Sequence, residues 1–202
     1  MKRTNSMWRF AAGNRRLLLM MALVLIGCVS GVAVYASWHE QLPAGLHQLL
    51  VVTSVKADVS DVMAQFFASC FQPMCLWLLL FFSGLSACGA PASFLVPVFW
   101  GLGMGLLQAH YYAQGMVGML LAFLLIVPHS LLKAIALSIG SVQALQLSLQ
   151  LAGQLLPRGA HCGGLWQTFR LYCVRFLLLL PLLLAAAALD VGLRLCLFRF
   201  FN

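Results

Sequence analysis

The longest uncharged stretch of the sequence decides what class of fold the chain can form. No Asp, Glu, Lys or Arg occurs from Val62 to Leu132, whereas a helix needs only about 20 apolar residues to cross a bilayer. Hydrophobic residues make up 63% of the chain and charged residues 8%, against about 25% charged in an ordinary soluble domain. The sequence therefore predicts an all-α, polytopic transmembrane helix bundle in one integral membrane domain (residues 1–202). It excludes a soluble enzyme and a nucleic-acid binder.

Basic residues at the amino terminus predict the orientation of the first span. Residues 1–16 carry five Lys and Arg directly before the apolar run Leu17–Ala36, and such residues hold the end of a first span in the cytoplasm. A cleaved signal peptide is the alternative, but its apolar core is normally only about 7–15 residues long. We expect a basic cytoplasmic tail over residues 1–16, an uncleaved first helix and an extracytoplasmic carboxyl terminus in the cell membrane.

Residues 37–68 are the only long stretch that mixes polar and apolar side chains, and they include Glu40, Lys56, Asp58 and Asp61. An acidic loop after such a first span is expected outside the cytoplasm. Its apolar residues recur mostly at intervals of three and four, which is typical of amphipathic helices. The apolar stripe can pack on the protein's own bundle or dock an external partner, and the sequence leaves both open.

Glycine and proline divide the remaining apolar sequence. We expect the second span at about Phe71–Ala87, the third at about Ser93–Tyr111 and the final span from about Phe169 to Asp190. Residues 115–151 are too many for one straight crossing at about 1.5 Å per residue, and Pro128 interrupts them because proline lacks an amide donor. This favours about five crossings with a fourth helix broken at Pro128. A re-entrant hairpin followed by a separate crossing is the alternative.

Lys133 is the only full charge between Val62 and Pro157. An ionisable residue inside a membrane is by default a functional candidate: it can bind an anionic group, pair with a carbonyl freed at the broken helix, or mark a transport path. A structural role is the simpler interpretation, because lysine can extend its long stem to the membrane surface. The sequence places no acidic partner to exchange protons with it.

No catalytic or metal-binding pattern stands out. Ser86 lies in a segment that resembles the serine environment of intramembrane proteases, with His110 or His129 as the base, but His110 falls near the opposite end of its span. The seven cysteines lack the short recurring spacings of metal sites. We therefore expect no catalytic residue, no cofactor and no metal, and a chain that is not an enzyme.

Pairs of glycines four residues apart occur in two apolar segments, at Gly27 and Gly31 and at Gly101 and Gly105. This spacing lets helix backbones approach closely, within one chain or between copies. The residues that we single out as candidates for helix packing or partner contact are Gly84, Gly89, Pro91, Gly101, Gly105, Pro128, His129 and Lys133.

Three segments follow one another in a particular order: FSGLSACGAP at 82–91, GMVGMLLA at 115–122 and LIVPHSLL at 125–132, with glycines at 101, 103 and 105 between the first two. This order resembles the stage II sporulation protein M family of endospore-forming bacteria. Relatives often continue the Pro-His pair with a glycine and, three residues later, a glutamate. Here those positions hold Ser130 and Lys133.

The resemblance implies a non-enzymatic scaffold of the engulfment machinery in the mother-cell membrane. It would anchor and position stage II sporulation proteins D and P, which remodel septal peptidoglycan. These proteins and membrane lipid are then the expected partners; a homo-oligomer is left open, and nucleic acid is not expected. Two other classes stay open: a small-solute transporter or permease component that uses the broken helix around Pro128 and Lys133, and, less favoured, an intramembrane hydrolase.

Overall fold

The computed structural model describes residues 4–38, 62–86, 88–155 and 165–201, and among them it contains helices and turns but no strand. In chain order the helices are α1 (Thr4–Trp38), α2 (Val62–Gly84), α3 (Ala90–Tyr112), α4 (Met116–Leu121), a π-helical stretch (Ala122–Ile126), α5 (Val127–Leu155) and α6 (Leu165–Phe201). Five stretches are long and apolar enough to cross a membrane: Arg15–Ser37, Val62–Gly84, Ala90–Tyr112, Met116–Gly153 and Thr168–Cys196. The predicted all-α bundle of about five spans is confirmed.

Helices α1 and α2 extend further than the sequence predicted. Helix α1 begins at Thr4 and ends at Trp38, so most of the expected basic tail is helical. Helix α2 begins at Val62 rather than near Phe71, with Pro73 inside it. Residues 62–68, expected in the external loop, therefore belong to a membrane helix, while residues 39–61 lie outside the described residues. A proline within a membrane helix is tolerated when a neighbouring helix bonds the carbonyl that it frees.

The fourth membrane segment contains no reversal. Residues 116–155 pass from α4 through the π-helical stretch into α5 with no loop between them, so a re-entrant hairpin does not form there. The departure from α-helical geometry lies at Ala122–Ile126, directly before Pro128 rather than at the proline itself. The physical reason is that a wider turn ahead of a proline makes room for its ring, which would clash with the preceding α-helical turn.

Helices α1 and α3 pack closely through the predicted glycines. A Cβ atom on any of four glycines would overlap a backbone carbonyl oxygen of the facing helix: Gly27 that of Val98, Gly31 that of Leu102, Gly101 that of Val24, and Gly105 that of Cys28. These contacts advance along both helices in the same direction, so α1 and α3 run parallel. Close backbone approach of this kind holds membrane helices together by van der Waals packing.

Substitution of Gly101 by Ala should destabilise the protein, because the added methyl group meets backbone rather than a movable side chain. Overpacking of this kind typically costs about 1–3 kcal/mol. The midpoint of thermal unfolding in detergent measures the effect. Gly192→Ala is the matched control, since nothing lies within 4 Å of a Cβ placed at Gly192. Equal midpoints for the two variants would contradict the close approach of α1 and α3.

The remaining spans share one apolar core. Its buried members include Trp77 and Leu80 of α2, Trp100 of α3, Leu137 of α5 and Phe176 of α6. Aromatic rings pack against one another at its centre, with the centroids of Trp77 and Phe176 5.5 Å apart. The core therefore joins α2, α3, α5 and α6, and helix α1 contributes Val24 to it and contacts α3 and α5.

Candidate functional site: a buried charge cluster

Two helices bring four ionisable side chains together inside the bundle, and a third adds a hydroxyl. Helix α2 contributes Ser69, α5 contributes His129 and Lys133, and α6 contributes Asp190 and Arg194. Lys133, Asp190 and His129 are 4%, 3% and 7% exposed, and the side chain of Arg194 is 23% exposed. We call these five residues the charge cluster.

Asp190 is the centre of the charge cluster. Its carboxylate accepts hydrogen bonds from Ser69 Oγ at 2.6 Å and from Arg194 Nε at 2.9 Å. Lys133 Nζ lies 3.9 Å from Oδ2, and His129 Nδ1 lies 3.6 Å from Oδ1. A buried carboxylate is tolerated when it is paired and hydrogen-bonded in this way.

The expectation that Lys133 has no acidic partner is therefore wrong. The sequence predicted that the final span ends at Asp190, which would place this carboxylate at the membrane surface. Helix α6 instead continues to Phe201, so Asp190 lies within the helix and faces α2 and α5. A buried charge is costly in an apolar medium, and this cost explains why opposite charges from separate spans meet.

Lys133 also replaces a missing backbone amide. Its Nζ atom donates hydrogen bonds to the Ser69 carbonyl oxygen at 3.2 Å and to Ser69 Oγ at 2.8 Å. In an α-helix the Ser69 carbonyl would accept from the amide of residue 73, but that residue is Pro73 and has no amide hydrogen. The lysine thus pairs with a carbonyl freed by a proline, as one of the sequence hypotheses held, although the proline is in α2 rather than in its own helix.

His129 and Ser130 bond carbonyl groups at the end of the π-helical stretch and directly after it. His129 Nδ1 lies 2.7 Å from the Leu125 carbonyl oxygen, and because a carbonyl only accepts, Nδ1 carries the proton. Ser130 Oγ donates to the carbonyl oxygens of Ile126 and Val127. The polar residues that follow Pro128 therefore compensate for the disturbed backbone hydrogen bonding of this region.

The geometry of Ser69 and Lys133 does not favour nucleophilic catalysis. Their side chains are within hydrogen-bond reach, but a base must accept the hydroxyl proton of its nucleophile. The Ser69 hydroxyl proton is directed at Asp190 instead, so Lys133 acts as the donor. The pair of Ser86 and His110 that the sequence suggested is separated by the length of α3: Ser86 lies in the turn before this helix, and His110 lies in its last turn, where it contacts the hydroxyl of Tyr35 at 3.3 Å.

The other singled-out residues pack helices or turns. A Cβ atom at Gly84 would overlap the hydroxyl of Tyr172, and one at Gly89 would overlap the Ser83 carbonyl. Pro91 lies in the first turn of α3. Of the singled-out residues, only His129 and Lys133 belong to the charge cluster.

Sequence reasoning missed Ser69, Asp190 and Arg194. Two signals could have found them. Ser69 precedes Pro73 by four residues, which marks its carbonyl as free, and Asp190 and Arg194 are an i,i+4 charge pair in an apolar helix.

Five apolar spans, a close parallel helix pair and ion pairs buried between helices define a multi-pass α-helical membrane protein. The chain belongs to the stage II sporulation protein M family, whose model matches residues 17–191. The comparison with curated proteins found no match, and the comparison with solved structures found none either. The matched region contains four members of the charge cluster and ends before Arg194.

Proposed function

We propose that this protein is a non-enzymatic membrane scaffold that positions peptidoglycan-remodelling enzymes at the sporulation septum, with stage II sporulation proteins D and P as partners. Family membership supports the sporulation setting. The observation that carries the scaffold role is the charge cluster, because its buried charges are directed at one another and at backbone groups. Such a network fixes helix positions and presents no activated group to a substrate.

The charge distribution supports a cytoplasmic amino terminus. Arg15 and Arg16 lie where the apolar stretch of α1 begins, and Arg170 and Arg175 lie near the start of α6 at the same end of the bundle. The acidic residues Glu40, Asp58 and Asp61 fall in the segment between the end of α1 and the start of α2, which lie at the other end of the bundle. Positive residues accumulate on the cytoplasmic side of membranes. In this orientation residues 39–61 and the end of α6 face the cell wall, where septal enzymes act.

The charge cluster would fix the position of the first turns of α2, which residues 39–61 precede in the chain. Ser69 is seven residues from Val62, the first residue of α2, a distance of about 10 Å along a helix. Bonds from Lys133 and Asp190 to Ser69 hold this end of α2 against α5 and α6. A partner tethered through residues 39–61 would be kept at a high local concentration beside the membrane surface.

Co-purification from sporulating membranes tests the proposal. We expect the full-length chain to retain stage II sporulation proteins D and P, and we expect this association to be lost when residues 39–61 are replaced by a neutral flexible segment of equal length. The same exchange at residues 156–164, between α5 and α6, is the matched control and should leave the association intact. If proteins D and P are retained after residues 39–61 are replaced, the helices and not this segment recognise the partners. Absence of both proteins from the wild-type preparation would contradict the proposed function.

A transporter is the second candidate, and the π-helical stretch favours it. Discontinuous helices often line binding sites in transporters, and π-helical segments are frequent at functional sites. His129 and Lys133 follow this stretch within two turns. Solute flux into vesicles containing the purified protein, abolished by Lys133→Ala, would support this candidate over the scaffold.

A further inference from the structure

A small groove with both polar and apolar lining lies between α5 and α6, at the opposite end of the bundle from the charge cluster. It has a volume of about 110 Å³, and its polar lining consists of Gln143, Gln146, Gln150, Thr168 and Arg175. The three glutamines are spaced by three and four residues, so they share one face of α5. Polar side chains concentrated in this way are unusual in so apolar a chain, and neither the charge cluster nor the proposed function uses them.

The groove lies near one end of the apolar stretches of α5 and α6. Arg175 is seven residues from Thr168, where the apolar stretch of α6 begins, and Gln146 is seven residues from Gly153, where that of α5 ends. Seven residues correspond to about 10 Å of helix, and a long arginine side chain can extend its guanidinium to the membrane surface. Arg175 Nη1 donates to Gln143 Oε1 at 3.1 Å, which aims the guanidinium at the groove.

This end of the bundle is positively charged. Met20 of α1 packs against Val142 and Leu145 of α5, so Arg15 and Arg16, where the apolar stretch of α1 begins, are at the same end as the groove. Within the described ranges the one acidic side chain is Asp190, which belongs to the charge cluster at the other end. The described lining of the groove thus has a cation for a phosphate but no carboxylate for the ammonium group of a zwitterionic lipid.

An exposed apolar stripe of α6 runs past Arg175 beside the groove. It consists of Leu171, Val174 and Leu178 of α6, which share one face of the helix because they are spaced by three and four residues. Arg175 borders this stripe, four residues after Leu171 and three before Leu178. A cation whose side chain can reach the headgroups, next to an apolar stripe, matches the two parts of a phospholipid. We propose that the groove binds the phosphodiester headgroup of an anionic phospholipid, with Arg175 contacting the phosphate and the acyl chains along this stripe.

Lipid retention by the full-length chain tests this site. The protein is purified in mild detergent, offered phosphatidylglycerol or phosphatidylcholine in mixed micelles, and examined by native mass spectrometry. We expect preferential retention of phosphatidylglycerol and a loss of about fivefold in Arg175→Gln, the factor that corresponds to one interfacial cation at about 1 kcal/mol. Gln146→Leu, which alters the lining without removing a charge, should also reduce retention. Arg170→Gln is the matched control, since Arg170 is exposed on the same helix but does not line the groove.

Three results would overturn the site. Equal retention of the two lipids would remove the selectivity for an anionic headgroup. An equal loss in Arg170→Gln and Arg175→Gln would reduce the effect to general surface charge. Displacement of phosphatidylglycerol by soluble glycerol phosphate at an equal concentration would show that the apolar stripe contributes nothing. None of these results bears on co-purification with cell-wall enzymes, so the lipid site and the scaffold role stand or fall separately.

Discussion

Asp190→Asn is expected to lower the free energy of unfolding in detergent by about 3–5 kcal/mol, the cost of breaking a buried ion pair by removing one partner. Asn has the same shape as Asp, so the loss reflects charge rather than packing. Two cations, Lys133 and Arg194, would remain beside a neutral amide. Denaturant titration followed by the fluorescence of the buried Trp77 and Trp100 measures the change.

An apolar replacement of the whole network distinguishes charge pairing from a general intolerance of substitution. Asp190→Leu combined with Lys133→Met and Arg194→Leu removes all three charges together, and apolar residues of similar volume often restore the stability that a broken pair loses. The triple variant should therefore be more stable than Asp190→Asn alone. If the free energy of unfolding of Asp190→Asn stays within about 1 kcal/mol of the wild-type value, a charged Asp190 carboxylate does not hold the cluster together.

Lys133→Met is expected to cost about 3 kcal/mol in the wild-type protein and measurably less when residue 73 carries an amide hydrogen. In Pro73→Ala the new amide can bond the Ser69 carbonyl, so the lysine has one fewer group to satisfy. The double-mutant cycle should show a coupling of about 1–1.5 kcal/mol, close to the value of one hydrogen bond. Unfolding free energies of the four proteins give the coupling directly.

The control for this cycle uses the proline of another helix. Pro97 is buried inside α3 as Pro73 is inside α2, so Pro97→Ala also removes a buried ring. Lys133 bonds the carbonyl that Pro73 frees, not the one that Pro97 frees. The effect of Pro97→Ala should therefore add to that of Lys133→Met. Additive behaviour at Pro73 as well would show that Lys133 does not substitute for the missing amide.

The spans could be predicted, and the glycines of the α1–α3 contact could be singled out although their partner helix could not, because both features depend on local composition. A long apolar run without charges is stable only in lipid. Glycines four residues apart favour close backbone approach wherever a second such pair is available. The facing pairs, Gly27 with Gly31 and Gly101 with Gly105, are visible in the sequence before their packing is known. The helix limits were less accurate, because Pro73 and Asp190 resemble helix ends until a neighbouring helix compensates for them.

The charge cluster could not be predicted from local patterns. Ser69 and Asp190 are 121 residues apart in the chain, and nothing in the hydropathy of either helix shows which face meets the other. Lys133 was recognised as unusual, but its partners depend on the relative rotation of α2, α5 and α6. That rotation follows from packing of the whole apolar core, in which each side chain contributes a small part.

The parallel pairing of α1 with α3 has a consequence for biogenesis. A helix can be parallel to an earlier one only after the chain has crossed the bilayer once more, so α1 enters the membrane before its glycine-rich partner has been synthesised. During that interval the surface of α1 at Gly27 and Gly31, which later contacts α3, faces lipid or the insertion machinery. A nascent chain stalled after α2 would thus hold a first helix that has no lasting neighbour, and quality-control proteases that survey single unassembled helices would find it at this stage.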